Sequence, residues 1–369
     1  MDAIFFPRND YPNNVEVCAH RLGKKMTHCE ATTYMPPLVQ SKMLPYVEQK
    51  GLRVSGIFKS NYLDSAWNTV YGKSLIANGV IWPDLYFFPI DYYDYSEQSV
   101  MAAWNIEQPW FIEQFGRKPN FIDFSQGNLT YKDYLKDYLM SYFGYSPMSS
   151  LPQSNTNYGI GVGNPNNIPF NSFYPLNIND RVLDRAMTEL NEDYATTIAN
   201  MATLIDNTLL LPNGGITFDF NHWHDVIEMD YNSDGTPKAG RNDKALNAFK
   251  SYIDMLVSKN ANDEIYFAGC GEAAAYLAYR SMISKAVMYS PTGFEDSRLV
   301  IRLEALNVFS IDTDLLQIPI SIKFSTTGTP LAGQTIRCEN NLISLGNNQY
   351  IVEIPYSEYA GAVIEKVNV

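Results

Sequence analysis

The chain has 369 residues, 46% of them hydrophobic and 18% charged, with a net charge of −13. This is the balance of a folded globular protein, and its length exceeds one ordinary domain. The acidic surplus repels phosphate backbones and argues against nucleic acid as a partner. No apolar run of ~18 residues is present, so no segment is expected to span a membrane as a helix.

Met1–Arg8 lacks the basic start and apolar stretch of a signal peptide. The expectation is a cytosolic protein, one exported by another route, or one shown without its leader. Cys18, Cys29, Cys270 and Cys338 are scattered with no C-x-x-C pair, and read as free thiols.

Short extended stretches are predicted at Val15–Ala19 and Lys25–Cys29. A helix follows over Ser41–Gln49, stopped by Gly51, and a strand over Leu52–Phe58. The rhythm continues with a helix over Asp64–Asn78, a strand over Leu85–Ile90, a helix over Ser96–Phe115 and a strand over Asn120–Phe124. Tyr131–Phe143 reads as a helix, and Ser146–Asn179 as a long loop rich in Ser, Asn, Pro and Gly. Helices are expected over Asp180–Leu210, Asn242–Ser258 and Gly271–Ile283, with strands over Gly215–Phe220 and Asp263–Phe267. Such alternation is the pattern of parallel βαβ units, which place ligands at the carboxyl ends of the strands.

After Ser290 the pattern changes to alternating segments separated by Gly, Asn and Pro turns, as in Arg298–Leu303, Ile318–Phe324, Tyr350–Ile354 and Ala362–Val367. The expected organisation is an α/β barrel domain over 1–286 and a small antiparallel β-sandwich over 287–369. The sandwich carries no catalytic constellation and is expected to serve packing or attachment.

The four histidines fall in two clusters, each where a strand should end: His20 with His28, and His222 with His224. Histidine suits metal binding and proton transfer near neutral pH. On a strand, residues two apart point to the same face, so His222 and His224 would converge. The alternative is one buried histidine and one facing water. His28, Glu30, Asp91, Asp94, Gln126, His222 and His224 all fall at predicted strand ends, which suggests one composite site.

Residues 15–285 resemble, in order, the polysaccharide deacetylases. Met26-Thr27-His28-Cys29-Glu30, a helix, then Lys50–Phe58 resembles the family's T-F-D-D-G strand end followed by a helix and a second strand. Glu113–Phe121 with Phe124–Asn128 resembles the approach to the R-x-P-x-G motif, and Gly214–Val226 resembles the last motif, a strand ending in H-D. The resemblance implies a distorted (β/α) barrel that removes acetyl groups from a glycan, outside the cytoplasm, with a metal-activated water.

The chain departs from that pattern. No H-x-x-x-H occurs; its place is taken by Asp91-Tyr92-Tyr93-Asp94-Tyr95-Ser96. Cys29 stands where the base should be, and of R-x-P-x-G only Gly127 survives. The resemblance implies that His224 acts as general acid, with Glu30 and Asp94 as further catalytic carboxylates. His28, Glu30, Asp91 and His222 are the candidate ligands if a divalent metal is held. A metal-free carboxylate pair of the glycosidase kind is the other reading of the same residues. Trp223, Tyr92, Tyr95 and Gln126 are the candidate sugar contacts. Asp230–Gly235 matches half a calcium loop but lacks the closing Glu, and reads as a solvated turn.

Two functions follow as expectations. One is a carbohydrate-active hydrolase, a deacetylase or a relative, bound to a polysaccharide or oligosaccharide. The other is an inactive glycan-binding or structural protein in an oligomer or larger assembly, a viral particle included.

Overall fold

The structure is a computed structural model that describes residues 8–33, 35–60, 70–87, 96–124, 147–149, 182–212, 214–291, 297–305, 318–357 and 361–367. It divides into two compact units, one of residues 25–274 and one of residues 1–24 with 275–369. The expected division at residue 286 assigned the opening of the chain to the first domain. Instead the first 24 residues belong with the C-terminal strands, because β1 (Arg8–Asp10) and β2 (Val15–Val17) find their partners there. Pairing across so many residues leaves no trace in local sequence pattern.

The unit of residues 25–274 is built on a parallel sheet. Its strands are β3 (Met26–Thr33), β4 (Val54–Phe58), β5 (Ile81–Phe87), β6 (Ile122–Phe124), β7 (Pro147–Ser149), β8 (Ile216–Phe220) and β9 (Ile265–Ala268). The order is β7-β6-β5-β4-β3-β8. β9 pairs with Met26–Cys29 and β4 with Ala31–Thr33, so both lie along the edge of β3 opposite β8. These pairings do not close into a barrel among the described residues. The fold is therefore α/β with a parallel sheet, and the expected closed barrel is not seen. β3, β4 and β8 are buried at every position, as strands covered on both faces should be.

The α-helices among the described residues are α1 (Pro37–Lys42), α2 (Leu44–Gln49), α3 (Val70–Ala77), α4 (Glu97–Phe115), α5 (Val182–Thr188), α6 (Tyr194–Leu209), α7 (Trp223–Asp230), α8 (Lys244–Lys259) and α9 (Cys270–Met282). Local chemistry explains their ends. The Ser96 hydroxyl accepts from Ser99 N at 3.3 Å to open α4, and Gly116 closes it with φ +68. Asp193 caps α6 through Thr196 N at 3.1 Å. In α8, Ala245, Leu246, Phe249, Tyr252, Ile253 and Leu256 recur at helical spacing and are all buried. They join Trp223, Val226 and Ile227 of α7 and Met26 of β3 in the main core. No described helix is long and apolar enough to cross a membrane.

In the other unit, β1, β10 (Ile283–Pro291), β11 (Arg298–Ala305), β16 (Gly361–Lys366) and β13 (Ile336–Cys338) form one sheet in the order β1-β10-β11-β16-β13. A second sheet runs β14-β15-β12-β2, with β12 spanning Ile320–Ser325, β14 Leu342–Gly346 and β15 Gln349–Ile354. Every pairing in both is antiparallel. The expected antiparallel character holds, but two of the nine strands come from the N-terminus. On the second sheet Ile320, Ile322, Phe324, Val352 and Ile354 form a buried apolar face. All four cysteines are free thiols.

Candidate functional site

Strand alternation decides what faces what. Glu30 sits directly beside Asp219 in the register of β3 and β8, and His28 beside Thr217. All four side chains leave the same side of the sheet. That side meets α7 and α8. Tyr252 of α8 donates its hydroxyl to Glu30 Oε2 at 2.6 Å, and the Trp223 indole N–H reaches Oε1 at 3.2 Å. The Asn221 amide bridges both acids, 3.0 Å from Glu30 Oε1 and 2.8 Å from Asp219 Oδ2. Val182 N also donates to Asp219, at 3.2 Å.

Both acids are buried. Burial first, and then the neighbouring Glu30, push the Asp219 carboxyl well above the ordinary range. Tyr252 is pushed up as well, by burial and then by the two acids. This is a closed polar knot between sheet and helices. Glu30, expected to be catalytic, is enclosed by donors. Trp223, expected as a sugar platform, is fully buried against Phe249 with ring centroids 4.9 Å apart and has no open face.

His28 belongs to the same knot. Its Nδ1 lies 2.8 Å from Thr217 Oγ1 and its Nε2 3.9 Å from Glu30 Oε2. His222 is elsewhere, bound to Asp184. Among the described residues no three His, Cys, Asp or Glu side chains form a group suited to a metal. His28, Glu30 and His222, three of the four expected ligands, do not make such a group. Asp91, Tyr92, Asp94, Tyr95 and Gln126 lie outside the described residues.

The second histidine cluster is at the carboxyl end of β8, as expected, but not on a strand. β8 stops at Phe220, His222 is the residue before α7, and His224 is in its first turn. The ladder ends at Asn221, whose N–H still donates to Ala31 O at 3.0 Å, and the chain turns where the next N–H, of His222, goes to Asp184. Asn221 Oδ1 accepts from Leu183 N at 2.9 Å, and His222 N donates to Asp184 Oδ1 at 2.9 Å. Asp184 Oδ2 also accepts from His222 Nδ1, at 2.6 Å. A carboxylate can only accept, so Nδ1 carries the proton and Nε2 is the nitrogen left for chemistry. The rings of His222 and His224 are 5.6 Å apart and nearly perpendicular. His224 Nε2 lies 3.3 Å from Asp225 Oδ1. Desolvation lowers the pKa of His224, against the pull of Asp225, and His222 adds to the lowering. Both rings keep partial exposure, 28% for His222 and 20% for His224.

The opposite side of the sheet carries a different set. Ser55 donates to Asp84 Oδ2 at 2.6 Å, and Gly271 N donates to the same oxygen at 3.1 Å. Burial raises Asp84 to about 7, opposed by Arg117, Ser55 and the Gly271 N–H. Arg117 is lowered to about 10 by burial. By alternation Lys59, just past β4, shares this side, and its Nζ lies 5.5 Å from the centre of the Tyr86 ring. Lys59 is buried, which is rare for lysine. Next to it Ser60 donates to Glu107 from both its N–H, at 2.9 Å, and its hydroxyl, at 2.7 Å.

Sequence reasoning missed Asp184, Asp219, Lys59 and Glu107. Asp219 had a visible signal, an acid between two phenylalanines in a buried strand. Asp184 had none, since only the fold brings it to His222. In the half calcium loop, Asp230 accepts from Leu246 N at 2.8 Å and from Arg241 Nε at 3.2 Å. Its carboxylate is buried and spent inside the protein, not solvated as the turn reading expected.

No family model matches the chain, and no curated protein matches it. Among solved structures it is similar to a "putative cellobiose-phosphate cleavage protein" of Enterococcus faecalis, at 12% identity and a TM-score of 0.39, over 67% of this chain and 97% of that one. A second is an α-amylase of Anoxybacillus, at 6% identity and a TM-score of 0.16, over 90% of this chain and 64% of that one. Both names concern carbohydrate chemistry, but similarity this weak establishes neither a shared fold nor a shared activity.

Proposed function

We propose that this chain is a carbohydrate-active hydrolase that removes an acyl group from a glycan, with His222 and His224 as its proton-transfer groups. The observation that carries this reading is the Asp184–His222 pair beside His224 at the carboxyl end of β8. Asp184 holds His222 by two contacts, one to its backbone N–H and one to ring Nδ1, and the second fixes the tautomer, as a carboxylate does for an acid–base histidine. Nε2 of His222 then takes a proton from water as it attacks the acyl carbon. His224, whose proton desolvation loosens, gives that proton to the departing sugar oxygen, and the proton His222 took from water restores it. The glycan class rests on the resemblance of residues 15–285 to polysaccharide deacetylases and on the H-D pair at His224-Asp225. No step is routed through a metal, because His28, Glu30 and His222 do not share one site.

The test is acetate release from acetylated xylan and chitin oligomers by the wild type, His222→Ala, Asp184→Ala and His224→Ala. The expected loss is about 10²-fold or more for each histidine variant. Wild-type turnover that survives both histidine changes would overturn the assignment. A second reading, an inactive glycan-binding or assembly protein, is favoured by the enclosure of Glu30 among Asn221, Trp223 and Tyr252. Absence of any turnover, with oligosaccharide binding retained, is its expected result.

A further inference from the structure

The second antiparallel sheet has an apolar face and a polar one. In the register Ser321 faces Glu353, Lys323 faces Ile351 and Glu16, and Ser325 faces Gln349. These residues share the side opposite to buried Ile320, Ile322 and Phe324. One end of this polar face is covered. The short turn Arg21–Gly23 lies over it, with Arg21 Nε 2.8 Å from Glu353 Oε1, Leu22 N donating to Ser321 Oγ at 2.8 Å, and Gly23 against the Ile351 side chain. The other end is open. There a depression of about 310 Å³ is lined by Asn13, Asn14, Glu16, Lys323, Ser325 and Gln349 among others.

We infer that this depression is a binding site for a neutral, polyhydroxylated ligand, a short segment of glycan. Its size lies at the lower bound of small-ligand sites. Three strands spaced ~4.8 Å apart make a floor roughly 10 Å wide, enough for one or two sugar rings. Glu16 and Lys323 are opposite in the register, so the floor carries one charge of each sign and favours neither anion nor cation. The remaining polar groups are amides and a hydroxyl, which both donate and accept, as ring hydroxyls require, beside Val15 and Phe324. Asn14 is fixed, because its Nδ2 donates to Ser325 O at 2.9 Å and Thr327 O at 2.7 Å. That orientation presents its carbonyl oxygen as the acceptor and lowers the ordering cost of binding. All of these residues belong to this unit, and the site does not depend on the reaction proposed for the other.

The experiment is calorimetric titration of the full chain with cellohexaose, xylohexaose and N-acetylchitohexaose, and with a heparin hexasaccharide as the charged comparison. At least one neutral oligomer is expected to bind. Lys323→Ala combined with Gln349→Ala should weaken it at least 10-fold, and Glu16→Gln should weaken it less. His222→Ala should leave it unchanged, and the Lys323/Gln349 variant should leave acetate release from a small acetylated sugar unchanged. A circular-dichroism spectrum matching the wild type confirms that the variant sheet is folded. The proposal is overturned if no neutral oligomer binds at roughly millimolar concentration. Binding that survives the double variant, or a preference for the heparin fragment, overturns it as well. Loss of binding without loss of turnover, or the reverse, separates this site from the histidine site.

Discussion

Asp84 gives the sharpest test of how the parallel sheet is held. Its carboxyl is buried and raised from 3.8 to about 7, chiefly by desolvation. The folded protein therefore holds this proton more tightly than the unfolded chain does. Stability is unaffected below the unfolded pKa, falls as pH rises from about 4 to about 7, and levels off above. At 1.36 kcal/mol per pH unit, with the partial titration at each end, the loss between pH 5 and pH 7 is about 2 kcal/mol. Asp84→Asn removes the titration and keeps an acceptor for Gly271 N. The assay is urea unfolding at pH 5 and pH 7 followed by tryptophan fluorescence. All five tryptophans lie between residues 25 and 274, so the signal reports on the unit that holds Asp84. The stability of Asp84→Asn relative to wild type should rise by about 2 kcal/mol between pH 5 and pH 7, and other titrating groups cancel in that difference. A difference constant to within ~0.5 kcal/mol would show that Asp84 is ionised throughout and that the desolvation argument fails.

Tyr252→Phe should lower stability by about 2 kcal/mol, because it leaves Glu30 Oε2 buried without its 2.6 Å donor; the urea midpoint checks this. Gly269→Ala should cost about 1–3 kcal/mol, since a methyl group there overlaps the Trp82 side chain, and the same fluorescence transition reports it. Because His224 donates the proton to the leaving group and desolvation lowers its pKa, the alkaline limb of the pH–rate profile should fall below the ordinary histidine range; a limb at or above that range counts against the assignment. A fragment ending at residue 286 keeps β2 but loses β12, so it should aggregate in size-exclusion chromatography, whereas a 25–274 fragment should elute as a discrete species.

Much of the sheet-and-helix order was legible because it is local. The expected extended stretches mark β3, β4 and β8, and the helices expected over Ser96–Phe115 and Asn242–Ser258 match α4 and α8. His222 and His224 were found from scarcity and position alone, although the expected strand geometry was replaced by a helix start. What could not be read was set by the third dimension. Glu30 and His28 were expected at a strand end, but β3 runs on to Thr33 and both lie within it, on the side facing α8, which is invisible without a register. Asp184 is 38 residues from His222 in sequence, and no local pattern joins them. In the first 24 residues β2 was legible as a strand and β1 was not, and neither was legible as a member of the C-terminal sheets.

That last feature bears on synthesis. The unit of residues 25–274 emerges from the ribosome whole, and its sheet can assemble while the chain is still growing. The opening strands cannot join their sheets then, since Arg8 pairs with Pro291 and Val17 with Ile322. They must remain unpaired through translation of the entire inserted unit. Closing so long a loop costs little more entropy than closing one half its length, so the arrangement weighs lightly on final stability. Its weight falls on kinetics, because the last strands to be made must capture the first. In this protein, the order of folding runs against the order of the chain.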